Sequence, residues 1–395
     1  MARSKAEEAR CLRSNRLEGM NLMRRPLDLC TVLLAILVGV SPAPASATQD
    51  QVSTLTATPE QLYQLACASC HGPDGRGTPQ SGVSFDMPLP DFTDCGFASR
   101  EPDSDWLAVT HDGGPARGFD SVMPAFGDAL GIDEVQRSLD LVRSLCTDDA
   151  WPRGELNLPR PLATEKAYPE DEAVLTTIVD AEGAGAVTNK LVYEKRFGAR
   201  NQVELVVPLA ARAGTLGDWS GGIGDVAVGV KRAFFHSLRH GSIFSLTGEV
   251  AFPTGDEANG FGKGTAVVEP FATFGQLLPA DAFLHVQGGF ELPTDTDKAE
   301  QEVFWRFALG KSFTQGAFGR TWSPMLEVLG ARELVDDESA QWDLLPQVQV
   351  TLNRRQHIMA NVGVRIPVTD SSHRNTQVLV YLLWDWYDGG FFQGW

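Results

Sequence analysis

Two cysteines and a histidine lie close enough in the sequence to act on one cofactor. The segment is Cys67-Ala68-Ser69-Cys70-His71. At this spacing the two thiols can add to the two vinyl groups of one porphyrin, and the adjacent imidazole can reach its iron. A Cys-x-x-Cys pair alone is more typical of zinc or a redox dithiol. The histidine that follows predicts one covalently bound haem c, held by Cys67 and Cys70 with His71 as an axial iron ligand.

The N-terminus carries the pattern of an export signal. An apolar run over residues 29–40 follows Arg24-Arg25 and precedes the small residues Ala45-Ser46-Ala47. A basic flank, a short apolar run and a small-x-small site are typical of a secretory signal peptide. The run is too short to span a bilayer as a helix. We therefore expect residues 1–47 to be removed and the rest of the chain to be exported.

The remaining cysteines suggest a disulfide. Cys11 and Cys30 fall within the predicted signal peptide, which leaves Cys95 and Cys146 besides the haem pair. In an oxidising compartment two such cysteines are more often bonded than free. A Cys95–Cys146 disulfide is therefore a hypothesis.

The charge of the chain excludes some partners. The full sequence has a net charge of −18, and removal of residues 1–47 takes away seven Lys and Arg against four Asp and Glu, which gives −21. So acidic a chain is repelled by nucleic acid and by anionic membrane surfaces. The charge fits a basic periplasmic redox protein as partner, or serves solubility.

Two zones precede the longest part of the chain. Residues 48–146 contain helical stretches between Gly and Pro loops, and Thr58-Pro59-Glu60 is typical of a helix start. Further helices are expected over residues 103–112 and from about residue 133 to Cys146. Residues 147–172 hold four prolines and no periodicity, which predicts a linker or strap.

Residues 173–395 follow a period of two. From Ile358 to Val368 every second residue is apolar, and about ten to twelve such segments occur without an intervening helix. Segments of this kind suit a transmembrane β-barrel or a soluble barrel or sandwich. The other face is small or polar, as a wet lumen requires: Gly229, Ser245, Thr247, Glu249, His285, Gln287, Gly289, Arg306 and Arg365. The aromatic end of the chain also favours the membrane: Trp384, Trp386, Phe391, Phe392 and Trp395.

Residues 58–146 resemble a class I cytochrome c domain. The likeness is carried by residues 63–77, around the Cys-x-x-Cys-His segment, and by Ser121-Val122-Met123-Pro124 before the closing helix. It implies that Met123 is the second axial ligand, which raises the reduction potential and leaves no open iron site. Met87, which also precedes a proline, and His111 remain alternative ligands.

The barrel segment has its own resemblance. The glycine-rich turns after residues 221, 248 and 262 are similar to those of outer-membrane transporters associated with aromatic-hydrocarbon degradation, over about residues 189–290. The resemblance implies an outer-membrane location and a pore. It identifies no substrate.

Together these patterns predict a multidomain protein: an all-α cytochrome c domain (48–146), a Pro-rich linker (147–172) and an antiparallel outer-membrane β-barrel of about twelve strands (173–395). The predicted function is electron transfer between a periplasmic partner and a donor or acceptor reached through the barrel, such as an extracellular metal ion. The alternative is a tethered periplasmic electron carrier whose barrel is an anchor in the outer-membrane lipid, or a porin for small hydrophobic solutes. With both axial positions of the iron filled, an enzyme is not expected.

Overall fold

The computed structural model describes residues 57–183, 185–214 and 218–386. The predicted signal peptide (1–47) and the aromatic residues Phe391, Phe392 and Trp395 lie outside the described residues. Across the described ranges no helix is long and apolar enough to cross a bilayer.

The first part of the described chain is a small helical domain, residues 57–146. Its helices are α1 (Pro59–Ala66), α2 (Ala68–His71), α3 (Cys95–Ala98), α4 (Asp103–Asp112) and α5 (Ile132–Ser144). The predicted start of α1 is confirmed, because the Thr58 hydroxyl accepts a hydrogen bond from the Gln61 backbone N–H and the Gln61 side chain accepts one from the Thr58 N–H. The bounds of α4 are those expected from the sequence.

The core of the helical domain is formed where its first and last helices meet. Leu62 of α1 packs with Val135 and Leu139 of α5. A neighbouring cluster joins Tyr63 to Phe92 and Val142. Burial of large apolar side chains, at about 1.5–3 kcal/mol each, is the main stabilising contribution in so small a unit.

The rest of the chain is a closed antiparallel barrel. Its strands are β1 (Glu172–Asp180), β2 (Ala186–Phe197), β3 (Asn201–Ala213), β4 (Trp219–Ile223), β5 (Val226–Ser237), β6 (Ser242–Phe252), β7 (Val267–Leu278), β8 (Ala282–Pro293), β9 (Glu302–Lys311), β10 (Phe313–Thr314), β11 (Thr321–Glu333), β12 (Gln341–Thr351), β13 (Ile358–Pro367) and β14 (Gln377–Asp385). β4 and β5 both pair with β3, so together they form one strand of the barrel. In the same way, β9 and β10 both pair with β11 and form one strand. β1 pairs with β14 and closes the barrel, which confirms the prediction of twelve antiparallel strands.

The alternation of the strands separates an apolar exterior from a polar lumen. In β13, Val362 and Ile366 are exposed, whereas Asn361, next to Val362 and on the other face, is 1% exposed and donates to a backbone carbonyl inside the barrel. In β5, Val228 and Val230 are exposed and Lys231 is buried. A soluble barrel would place its apolar face inside. The outward apolar surface instead identifies an outer-membrane β-barrel.

Residues 155–171, here called the strap, run through the lumen. This segment is most of the predicted linker, yet its backbone bonds to side chains of strands all around the barrel. Backbone N–H groups of the strap donate to Gln347 of β12, Glu327 of β11, Gln287 of β8 and Gln202 of β3. A strap with no regular structure of its own is stable there because the lumen side chains satisfy its backbone groups.

The helical domain lies against one end of the barrel. At this end the connections between strands are short, for example residues 198–200 and 279–281. The first residue of β1 and the last residue of β14 also lie at this end. The guanidinium of Arg117 donates to the backbone carbonyl of Phe318 at 2.6 Å, and the His357 ring nitrogen Nε2 lies 2.8 Å from Glu101. The domain is therefore held at the barrel mouth and does not enter the lumen.

Candidate functional site

The predicted haem-attachment residues follow one another at the start of the helical domain. Cys67 is the residue that joins α1 to α2, and Cys70 and His71 end α2. The chain then turns back, with the Gly77 N–H donating to the His71 carbonyl at 2.9 Å. The Tyr63 hydroxyl donates to the Gly72 carbonyl at 2.7 Å and fixes this turn from α1. Both thiols are free.

The surroundings of His71 suit an iron ligand. Its ring stacks on Phe92 with the centroids 4.8 Å apart, and its Nδ1 is buried without a hydrogen-bonding partner among the described residues. Burial lowers the pKa of the imidazole, so that the ring is neutral at pH 7 and its lone pair is available to a metal. Burial also raises the pKa of the Cys67 thiol to about 11.

Met123 lies in a loop that is fastened to the end of α4. The Gly114 N–H donates to the Met123 carbonyl at 3.0 Å, and the Gly127 N–H donates to the His111 carbonyl at 2.8 Å. Gly113 has a φ of 85°, and a Cβ there would lie 3.2 Å from the Met123 carbonyl oxygen. The close approach of loop and helix therefore requires glycine at residue 113.

The two alternative ligands are placed differently. His111 Nδ1 lies 2.6 Å from an Asp112 carboxylate oxygen, and its ring faces Phe318 of the barrel with the centroids 5.7 Å apart. His111 lies in the last turn of α4, and its ring belongs to the contact with the barrel. Met87 is half-buried in a segment without helix or strand. The donor set of two thiols, an imidazole and the Met123 thioether fits a haem c.

The structure brings Cys95 and Cys146 together as a disulfide with their Cα atoms 5.1 Å apart. Cys95 is the first residue of α3, and Cys146 follows the last turn of α5. The bond joins cysteines that are 51 positions apart in sequence, and the chain between them contains α4 and the Met123 loop. Such a cross-link limits the conformations of the unfolded chain and fastens α3 to the end of α5, next to the cluster in which Phe97 and Leu145 pack with Cys67.

The second candidate site is the lumen, where the strap is anchored by buried charges. The Arg160 guanidinium pairs with Glu194 at 3.1 Å and with Glu165 at 3.1 Å, and it also contacts Glu172. The Tyr381 hydroxyl donates to the Arg160 carbonyl at 2.7 Å. Buried charges are tolerated only when they are paired in this way, and removal of one partner is costly.

Three lumen carboxylates lie within 4.8 Å of one another: Glu165, Glu194 and Glu204. Arg160 pairs with two of them, and the buried Lys231 acts electrostatically on the same pair. The cluster is therefore compensated by cations of the chain. We do not assign it to a metal ion.

Above the strap the lumen contains a cavity of about 390 Å³. Its floor is formed by strap residues 160–165, and its walls by inward side chains of the strands and by the connection before β14. The alternating pattern of the strands predicts Arg306 and Arg365 in the lumen, where the structure has them, but it does not predict this cavity. A signal for the cavity that the sequence does contain is the charged residues at inward positions of β2 and β12, namely Lys190 and Asp343.

Comparison with known proteins supports the barrel. Residues 160–377, more than half of the chain, match the family described as "Putative MetA-pathway of phenol degradation". The match includes most of the strap and nearly all of the barrel, and it excludes the helical domain. No curated protein matches the chain.

Several solved outer-membrane barrels are similar in structure. An outer-membrane channel from Pseudomonas putida F1 is 12% identical with a TM-score of 0.42, over 57% of this chain and 99% of that chain. The NanC porin is 9% identical with a TM-score of 0.39, over 54% and 98%. The KdgM porin in complex with disordered oligogalacturonate is 8% identical with a TM-score of 0.36, over 54% and 99%.

Proposed function

Because the chain belongs to the family described as "Putative MetA-pathway of phenol degradation", we propose that it is a channel-type outer-membrane barrel with a haem c electron carrier fixed to its periplasmic mouth. In outer-membrane barrels the short turns and both chain ends face the periplasm. The helical domain contacts the short-turn end. The proposed carrier therefore faces the periplasm.

The observation that carries the proposal is the separation of the two candidate sites. The strap fills the lumen next to the helical domain, and Cys67, Cys70 and His71 belong to a domain that stays outside the barrel. The apolar band of such a barrel is about 25 Å tall. An electron path through the lumen would have to cross the strap and this band. The arrangement supports a tethered periplasmic carrier on an anchoring or solute-conducting barrel over an electron conduit.

The residues of the helical domain have distinct roles in this proposal. Cys67 and Cys70 would hold the haem covalently, and His71 and Met123 would occupy its two axial positions. When bound, the haem supplies a one-electron redox centre. Because Met123 and His71 leave no open position, the site favours electron transfer over catalysis.

The charge of the helical domain selects the partner. Residues 57–146 contain fourteen Asp and Glu against five Arg and no Lys. A surface of this charge attracts basic proteins and accelerates their association at low ionic strength. We propose a basic periplasmic redox protein as the electron donor or acceptor.

The proposal is tested by haem staining after denaturing electrophoresis. The protein is produced with a c-type haem maturation system, and wild type is compared with Cys67→Ala plus Cys70→Ala. We expect a haem band at the mature mass in the wild type alone. As a control, the Cys95→Ser plus Cys146→Ser variant keeps the haem. A wild-type protein that enters the outer membrane without covalent haem would refute the carrier.

A further inference from the structure

The lumen cavity above the strap has the chemistry of a ligand site. Its volume of about 390 Å³ falls within the range of about 300–1,000 Å³ of small-molecule sites. Part of the wall is apolar, with Val174 and Ile178 of β1, Phe304 of β9 and Leu329 of β11. The cavity therefore offers apolar surface beside charged groups.

Most of the charges around the cavity already have partners in the protein. Asp343 pairs with Arg365 at 2.5 Å and with Arg374 at 2.7 Å. Glu291 pairs with Lys263 at 2.5 Å. Glu165 pairs with Arg160 in the strap. Each of these carboxylates has a cation of the protein beside it, so none of them calls for a ligand.

Two basic side chains of the wall remain. Arg306 makes no ion pair with any described residue. Its Nη1 donates to the strap carbonyl of Ala163 at 2.8 Å and lies 3.4 Å from Gln287, while its Nε and Nη2 have no hydrogen-bonding partner among the described residues. The Lys190 side chain makes neither an ion pair nor a hydrogen bond within the described ranges. Glu302, four residues before Arg306 on the same strand, makes no ion pair within the described ranges and acts electrostatically on Arg306, while Lys190 has Glu165 and Glu269 in its surroundings. Arg306 is therefore the wall cation whose N–H groups remain open to a ligand.

We propose that this cavity binds a small organic monoanion with an apolar body, its carboxylate on the Nε and Nη2 groups of Arg306 and its apolar part against Leu329. The Arg306 guanidinium itself lies over the Phe304 ring, 4.6 Å from its centroid. A guanidinium with free N–H groups binds carboxylates through charge-assisted hydrogen bonds. Val174 and Ile178 extend the apolar wall. This inference rests on the proposed solute-binding role of the barrel and deepens it by naming a ligand class.

The test uses calorimetric titration of the full mature protein in detergent with three probes of one shape: benzoate, benzyl alcohol and benzylammonium. Benzoate is expected to bind at least tenfold more tightly than the neutral alcohol, and the cation is expected not to bind. Arg306→Gln should weaken benzoate binding by about tenfold or more, the scale of one charge-assisted hydrogen bond.

Arg365→Gln is the matched control. It removes an arginine from the same cavity, but one that Asp343 already holds. Benzoate affinity should stay within about threefold of wild type, which excludes a general effect of cavity charge.

Failure to bind benzoate at millimolar concentration, or equal binding by wild type and Arg306→Gln, overturns the inference. Equal affinity for benzoate and benzyl alcohol also overturns it. These outcomes are independent of the carrier, whose haem is scored by staining. They are also independent of conduction, which is measured by swelling of liposomes in neutral solutes.

Discussion

At the scale of single residues, His71 is the side chain whose surroundings argue most for a ligand. Its ring is held against Phe92, and its buried Nδ1 has no partner within the described chain. His236 and His285 also have a buried ring nitrogen without a partner among the described residues, but only His71 follows two cysteines at the spacing of a haem-attachment segment. Met123 is placed by backbone bonds of its loop and not by its own side chain, so substitution there should leave the fold intact.

Met123→Leu should open one axial position of the haem iron. We expect the reduced variant to bind carbon monoxide at neutral pH, because leucine has no donor atom, whereas the wild type should not bind it. The absorbance spectrum reports the change. Met87→Leu is the matched control, since Met87 also precedes a proline but lies in a different segment. Carbon monoxide binding by the Met87 variant alone would assign the ligand to Met87.

For Arg306 and Lys190, the sequence predicts a position in the lumen but not whether the side chain has an ion-pair partner. The alternating pattern of β9 placed Arg306 in the lumen, and its burial alongside the strap agrees with that. Which arginine is paired depends on contacts between residues that are not close in sequence, such as that between Arg374, in the connection before β14, and Asp343 of β12. No local pattern contains that information.

At the scale of elements, the strap is the segment that occupies the lumen, and its contacts determine how far the lumen is blocked. Glu327 of β11 accepts hydrogen bonds from the backbone N–H groups of Ala163 and Thr164, at 3.0 and 2.7 Å, and from the Thr164 hydroxyl at 2.5 Å. One carboxylate thus satisfies three donors of a segment that has no regular structure of its own. The strap depends on such contacts to stay in place.

Glu327→Ala should loosen the strap. Each donor left without an acceptor costs about 1–3 kcal/mol, so we expect the strap to leave its position part of the time. The measurement is single-channel conductance in a planar bilayer, which should rise above that of the wild type.

Glu333→Ala is the control for this experiment, because Glu333 ends the same strand and is exposed. Its conductance should equal that of the wild type. An unchanged conductance for Glu327→Ala would show that the strap is not the barrier in the lumen.

The disulfide fastens α3 to the end of α5 in the helical domain. In the mature, unreduced and unfolded protein, a maleimide should label neither Cys95 nor Cys146, and after reduction it should label both. Cys95→Ser is the control, because it leaves Cys146 reactive without reductant. Mass spectrometry counts the labels. Labelling of both cysteines before reduction would contradict the bond.

The elements were predictable to different degrees. Strands were predictable because one face meets lipid and the other meets a polar lumen, so the period of two is strong in segments such as 358–368. The start of α1 was predictable because Thr58 and Pro59 act locally. The path of the strap was not predictable, because Leu162 and Thr164 are positioned by side chains more than 150 residues away.

At the scale of the whole molecule, the helical domain is fixed to the barrel and does not hang from a long tether. Arg100 pairs with Asp171 at 2.6 Å, next to the first strand, and the Arg355 guanidinium lies over the Phe119 ring, 4.5 Å from its centroid. In the proposed function, a redox partner would therefore meet the domain at the mouth of the barrel. The acidic surface of the domain favours that approach when the partner is basic.

Electron exchange with a basic periplasmic cytochrome should depend on salt. Between about 10 and 150 mM salt the Debye length falls from about 30 to 8 Å, so we expect the second-order rate to fall by about tenfold or more. Stopped-flow absorbance measures it. An acidic cytochrome of similar size is the control and should not be slowed. A rate that is independent of ionic strength with the basic partner would exclude charge as the selecting feature.

The central proposal is that a haem held by the helical domain exchanges electrons on the periplasmic side alone. It is tested most directly in liposomes that enclose a reduced dye and carry the protein in known orientation. An impermeant ferric oxidant is added outside while the haem spectrum is recorded. We expect oxidation of the haem only in vesicles whose short-turn mouths face outward, with the dye still reduced. Oxidation of the dye at a rate that His71→Ala abolishes would contradict the account and establish an electron path through the barrel.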